Sequence, residues 1–111
     1  MTNQPGQDIK ARVISLKDLI AYQPAAVVSR EILRQKTGSV TLFAFAAGEQ
    51  LSEHTAPFDA LVFVLEGHLE VTIDHQPHSL RGGDMIIMPA QQPHALRALT
   101  ETKMILVMIR A

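Results

Sequence analysis

Residues 60–73 read ALVFVLEGHLEVTI, and the two halves of this stretch behave differently. From Leu69 to Ile73 apolar and polar residues alternate strictly, as a strand does when one face is buried and the other is wet. From Ala60 to Leu65 nothing polar intervenes, so a strand there must be covered on both faces. Gly67 separates the two, and neither half carries a helical period.

The pattern continues outward. Further β-type segments run Val27 to Arg34, Val40 to Ala46, Gln50 to Ala56, His78 to Leu80, Met85 to Met88, His94 to Leu99 and Lys103 to Ile109. With Ala60 to Glu66 and Leu69 to Ile73 they are punctuated by Gly38, Gly48, Pro57, Gly67, Pro77, Gly82, Gly83, Pro89 and Pro93. Short strands with frequent turn signals, and no segment long enough for a crossover helix, predict an all-β sandwich or barrel. Ahead of it, residues 1–8 read as a flexible polar tail, and residues 9–37 as an N-terminal segment carrying a short helix and a strand. Ser15 followed three residues later by Asp18 predicts a helical turn near residues 16 to 21, stopped by Pro24. Residues 38–111 form the barrel.

Composition bounds what this domain can do. The chain has 111 residues, 47% of them hydrophobic and 19% charged, which suits one domain with a core of its own. Ten basic residues against eleven acidic, no basic run and a single Tyr argue against nucleic acid as a partner. The absence of Cys removes disulfides, zinc-cysteine sites and thiol nucleophiles. No apolar run approaches the roughly 20 residues that cross a bilayer, and the opening MTNQPGQD lacks a basic and apolar leader. The expectation is a cytoplasmic protein without a membrane partner. Like Ala60 to Leu65, the segments Met85 to Met88 and Met104 to Ile109 do not alternate, so their outer faces need the N-terminal segment or a second subunit. A homodimer is expected, with Val27 to Arg34 as the segment that crosses to, or packs on, the neighbour.

The five histidines differ in their surroundings. His68 follows Gly67 at a strand junction and His75 lies in the turn 74–77, so both read as solvated turn residues. His78 shares a face with Leu80 and reads as a partly buried structural histidine. His54 follows Gly48 by six positions and precedes Gly67, while His94 follows Gly83 and Pro89. These two glycine and proline frames resemble the two motifs of the cupin superfamily, over roughly Gly38 to Arg110. The resemblance implies a six- to eight-stranded antiparallel barrel or flattened jelly roll. It also implies a metal held by three histidines and a glutamate, with dioxygenase, isomerase or decarboxylase activity among the family's reactions. Of those ligands only His54 and His94 are present; the second histidine falls at Ala56 and the glutamate at Ala60, the second motif's glycine at Gln91 and its asparagine at Ala98.

Several readings of the pair stay open. A divalent ion (nickel, zinc, manganese or iron) could be held weakly by His54 and His94, with a third donor from Asp59 if a bulge turns it inward, or from Gln50 or Glu53. Such a site would bind a small molecule and could support catalysis. Alternatively the two imidazoles form a metal-free, non-catalytic binding or sensing site for a small organic acid, or an acid and base pair. Both readings require His54 and His94 to meet, although 94 − 54 = 40 residues separate them. Ser52, His54 and Asp59 lack a nucleophile elbow, and Gly82, Gly83 and Asp84 lack the following helix of a phosphate loop. Met85, Met88, Met104 and Met108 read as core filler.

Overall fold

The computed structural model describes residues 9–110, so the tail assigned to residues 1–8 lies outside the described part. Nine strands follow one short 3-10 turn at Leu16–Leu19: β1 (Val27–Gln35), β2 (Gly38–Phe45), β3 (Gln50–His54), β4 (Ala60–Glu66), β5 (His68–Ile73), β6 (Gln76–Arg81), β7 (Met85–Met88), β8 (His94–Ala98) and β9 (Thr102–Ile109). They form two antiparallel sheets, ordered β1-β2-β9-β4-β7 and β3-β8-β5-β6, in a sandwich of jelly-roll type. The strand count exceeds the expected six to eight because β1 and β7 both join the larger sheet as edges. The helical turn is shorter than expected, and Ser15 makes no side-chain cap, offering only its carbonyl to the Asp18 amide at 3.0 Å.

The alternating half of the opening stretch behaves as its pattern requires. Leu69, Val71 and Ile73 face inward and meet Phe45, Val62, Val64, Leu96 and Met104 in the core between the sheets. β6 begins two residues earlier than expected, since Pro77 sits on an edge strand where its missing N–H costs no ladder bond. Asp74 and His75, at φ 48° and 66°, close the β5–β6 hairpin as a two-residue turn with both residues left-handed. His78 is exposed rather than partly buried, because β6 is the outermost strand of its sheet. His68 opens β5, half-buried, with Nε2 2.5 Å from Ser79 Oγ.

The unbroken apolar run of β4 is covered on its inner face by the core. On the outer face the N-terminal segment covers part of the larger sheet, where Leu19, Ile20 and Tyr22 pack on Leu42, Ala44, Leu65 and Ile105. A polar clasp fixes that strap. The Tyr22 hydroxyl donates to Glu66 Oε2 at 2.7 Å, Lys17 lies 3.6 Å from Glu66, and Lys103 Nζ donates to the Lys17 carbonyl at 2.6 Å while sitting 5.0 Å from the Tyr22 ring centroid. The hydrogen bond from Tyr22 holds the Glu66 carboxyl below its ordinary range, and burial together with that bond pushes the Tyr22 phenol up.

Gly67 is where the two halves of the opening stretch change sheets, at φ 99°. A Cβ there would lie 2.7 Å from Thr102 Cα and closer still to the Glu101 carbonyl oxygen. Gly48, at φ 83°, has open space around the same position. Gly67→Ala should therefore destabilise the fold by roughly 3 kcal/mol or more, and Gly48→Ala by about 1–2 kcal/mol from the backbone conformation alone. Urea unfolding of the two variants checks the difference.

Candidate functional site

His54 ends β3 and His94 begins β8, and the two are direct cross-strand partners. A register shift between Leu51 and His54 sets this meeting, since the bulge re-aims His54 toward the space between the sheets. The Nε2 atoms stand 3.0 Å apart, with ring centroids at 4.3 Å and planes at 73°. His94 is 3% exposed, whereas His54 reaches solvent. The pair thus bridges interior and surface.

Proton placement follows from the outer nitrogens. His54 Nδ1 lies 2.9 Å from the Ser52 carbonyl oxygen, and His94 Nδ1 lies 3.2 Å from that of Gln92. A carbonyl only accepts, so a ring that bonds to it carries a proton on Nδ1, and a neutral ring of that tautomer has its lone pair on Nε2. At 3.0 Å the two Nε2 atoms are within hydrogen-bond distance, so their geometry suits one proton or one cation shared between them. Burial, followed by the charge of His54, lowers the His94 pKa from its ordinary value, with the Gln92 carbonyl opposing. A proton is therefore a poor guest for the buried member at neutral pH.

The cavity beside the rings measures about 50 Å³ and is lined by Leu51, Ala56, Ala60, Met88, Leu96 and Met104 among others. Ala56 and Ala60 do face it, and they contribute methyl groups. None of the expected third donors reaches it. The Asp59 carboxylate accepts the Ala90 amide at 2.8 Å and borders a groove on the opposite side of β4. Gln50 is exposed opposite Arg97, and Glu53 points to His75 at 3.9 Å. Among the described residues no group of three or more His, Cys, Asp and Glu side chains converges. Ser52 and Asp59 form no triad with His54: the bond from Ser52 is its backbone carbonyl, and Asp59 is bonded to the Ala90 amide. Gln91 holds φ 67°, and its amide donates to the Ala56 carbonyl at 2.8 Å, tying the two loops at the cavity mouth.

Comparison with known proteins gives a consistent answer. Residues 41–110 match the family model described as Cupin domain. The chain is 29% identical over 94 residues to Protein SchB of Streptomyces halstedii, covering 79% of this chain and 68% of SchB. It is 28% identical over 95 residues to Polyketide synthase CurC of Streptomyces cyaneus, of whose length it spans 62%. Among solved structures, a conserved protein of unknown function from Streptococcus pyogenes superposes with a TM-score of 0.87 at 32% identity, covering 91% of this chain and 89% of that one. A cupin superfamily protein from Desulfitobacterium hafniense gives 0.87 at 28% identity, over 92% and 94%. Among the described residues no helix is long and apolar enough to cross a membrane.

The lowered His94 pKa sets a pH dependence. Below about pH 6.5 the unfolded chain binds a proton at this residue more readily than the folded chain, so stability falls as pH drops toward the folded pKa and is unaffected above. Calorimetry of chelator-treated protein between pH 7.5 and 5 should show the melting temperature declining through this window, and the decline should shrink in His94→Leu.

Proposed function

The chain belongs to the cupin superfamily, and on that premise we propose that it binds a small molecule through a divalent metal ion held weakly by Nε2 of His54 and Nε2 of His94. One observation carries the reading: the two Nε2 atoms stand 3.0 Å apart while both Nδ1 atoms lie within hydrogen-bond distance of backbone carbonyl oxygens. Adjacent imidazole ligands, each about 2.0–2.1 Å from a shared ion, stand roughly 3 Å from one another. Carbonyls on the far nitrogens orient such ligands and raise their basicity. A site with two imidazoles and no carboxylate suits nickel, zinc or iron better than manganese. When bound, the ion supplies a Lewis acid for an oxygen of the ligand.

The residues of the chain do the rest. Leu51, Leu96 and Met104 keep bulk water from the buried side of His94. A cavity of about 50 Å³ admits one or two waters or the head group of a ligand, and is far below the roughly 300–1,000 Å³ that encloses a drug-sized molecule. The body of the ligand therefore belongs at the mouth, beside His54. The name of one relative, Polyketide synthase CurC, supports an oxygen-bearing organic molecule as occupant. The methyl groups of Ala56 and Ala60 favour a second reading, a metal-free and non-catalytic site in which the imidazole pair binds an organic acid.

Metal titration separates the two. Wild type, Ala56→His and His94→Ala are stripped with chelator and titrated with nickel and zinc by calorimetry. Ala56 is the better position for a third ligand than Ala60, which sits between Met88 and Met108 with little room for a glutamate. Ala56→His should bind at least about 100-fold more tightly than wild type, and His94→Ala should lose binding. Equal affinity in all three would move the function to the metal-free reading.

A further inference from the structure

The two sheets bring different donor atoms to one end of the sandwich. On the smaller sheet His54 and His94 meet, and on the larger sheet Ala60 stands between its cross-strand partners Met88 and Met108, all five residues lining the same cavity. Two loops of equal length set this opposition. From His54 to Ala60 there are 60 − 54 = 6 positions and from Met88 to His94 there are 94 − 88 = 6, and the Gln91 amide ties the second loop to the Ala56 carbonyl of the first. Met104, fully buried, lines the cavity as well, so three of the five methionines of the chain wall the space beside the imidazoles. We propose that the thioether sulfurs of Met88 and Met108 complete the imidazole pair as a site for monovalent copper, which this cavity holds more tightly than it holds a divalent ion. The proposal rests on the reading that His54 and His94 bind a metal, and adds which ion their surroundings select.

Charge, donor chemistry and room all favour that ion. A divalent cation in an apolar cavity needs an anion beside it, yet the nearest carboxylates in sequence are turned away, Asp59 to the Ala90 amide and Glu53 toward His75. The cost of burying an ion rises with the square of its charge, so among neutral ligands a monovalent ion costs about one quarter as much to bury as a divalent ion of the same radius. Thioether sulfur is neutral and soft, and soft donors select Cu(I), whereas the carboxylate that the family resemblance implies at Ala60 is a hard one. The other side chains that line the cavity, those of Leu51, Ala56, Ala60, Leu96 and Leu106, are hydrocarbon, which leaves sulfur as the side-chain donor there besides imidazole. Two nitrogens 3.0 Å apart subtend roughly 95° at an ion about 2.0 Å from each, and leave further positions for donors from the opposite sheet. Methionine suits those positions, since its three rotatable bonds re-aim the sulfur without moving the strand. A cavity of about 50 Å³ has little room for the several waters that would otherwise fill the shell of a divalent ion.

The test uses chelator-stripped protein kept free of oxygen. Cu(I) affinity is read by competition with the chromogenic chelator bicinchoninate, zinc affinity by calorimetry, and the atoms around the copper by X-ray absorption. Wild type should bind Cu(I) at least about 100-fold more tightly than zinc, with sulfur as well as nitrogen in the copper shell. Met88→Leu combined with Met108→Leu conserves volume and apolarity, so the variant should keep its fold by circular dichroism. It should lose about 30-fold or more in Cu(I) affinity while its zinc affinity stays within about threefold of wild type. A copper shell without sulfur in the wild type would overturn the proposal whether or not the variant folds. Cu(I) binding that is no tighter than zinc binding, or that is unchanged in the variant, would also overturn it. In either case zinc binding that is present in wild type and lost in His94→Ala would keep the imidazole pair as a divalent site, whereas a wild type that binds neither ion would overturn both readings.

Discussion

Strand β9 is hydrogen-bonded on both edges and apolar on both faces, and the other parts of the molecule answer its requirements. Its edges hold β2 and β4, which makes it the middle of the five-stranded sheet. Its inner side chains Met104, Leu106 and Met108 close the floor of the cavity beside the histidines. Its outer side chains fall in two zones, Lys103 and Ile105 beneath the N-terminal strap, then Val107 and Ile109 beyond it. Core, cavity and outer surface therefore all follow from one strand whose two faces are both largely apolar.

Much of this was legible in the residues, for identifiable reasons. Breakers and strand-forming runs alternate so regularly that all nine strands occur where the pattern places them, and the errors sit at the ends. β6 began earlier because Pro77, read as a boundary, is tolerated on an edge strand. His78 was misread because alternation reports which face a residue takes and not whether a neighbouring strand covers it. The demand for cover on the outer faces of β4 and β9 was also visible, but the division of that cover was not. It depends on Tyr22 meeting Glu66 across 44 residues, and sequence patterns are blind at that range.

The site divides along similar lines. The glycine and proline frames brought His54 and His94 together across the β3–β8 ladder. The partners that determine their chemistry are the carbonyls of Ser52 and Gln92, backbone atoms that every residue type carries and no motif can flag. Asp59 illustrates the converse. A carboxylate beside a vacated ligand position looks available, yet the Ala90 amide occupies it on the far side of the strand. Gln91 keeps the left-handed backbone that a glycine would adopt without strain, so the loop's shape survives at a position where its usual residue does not.

The strap has one more consequence, which concerns valency. By covering Leu42, Ala44 and Ile105 it splits an apolar sheet face into a closed half and an open half, and leaves the open half off-centre. A surface restricted in this way can be satisfied once, whereas an apolar face running the whole width of a sheet offers several overlapping registers and no natural stopping point. The Tyr22 and Glu66 clasp, by holding the strap in place, thus limits how much apolar sheet face is left open.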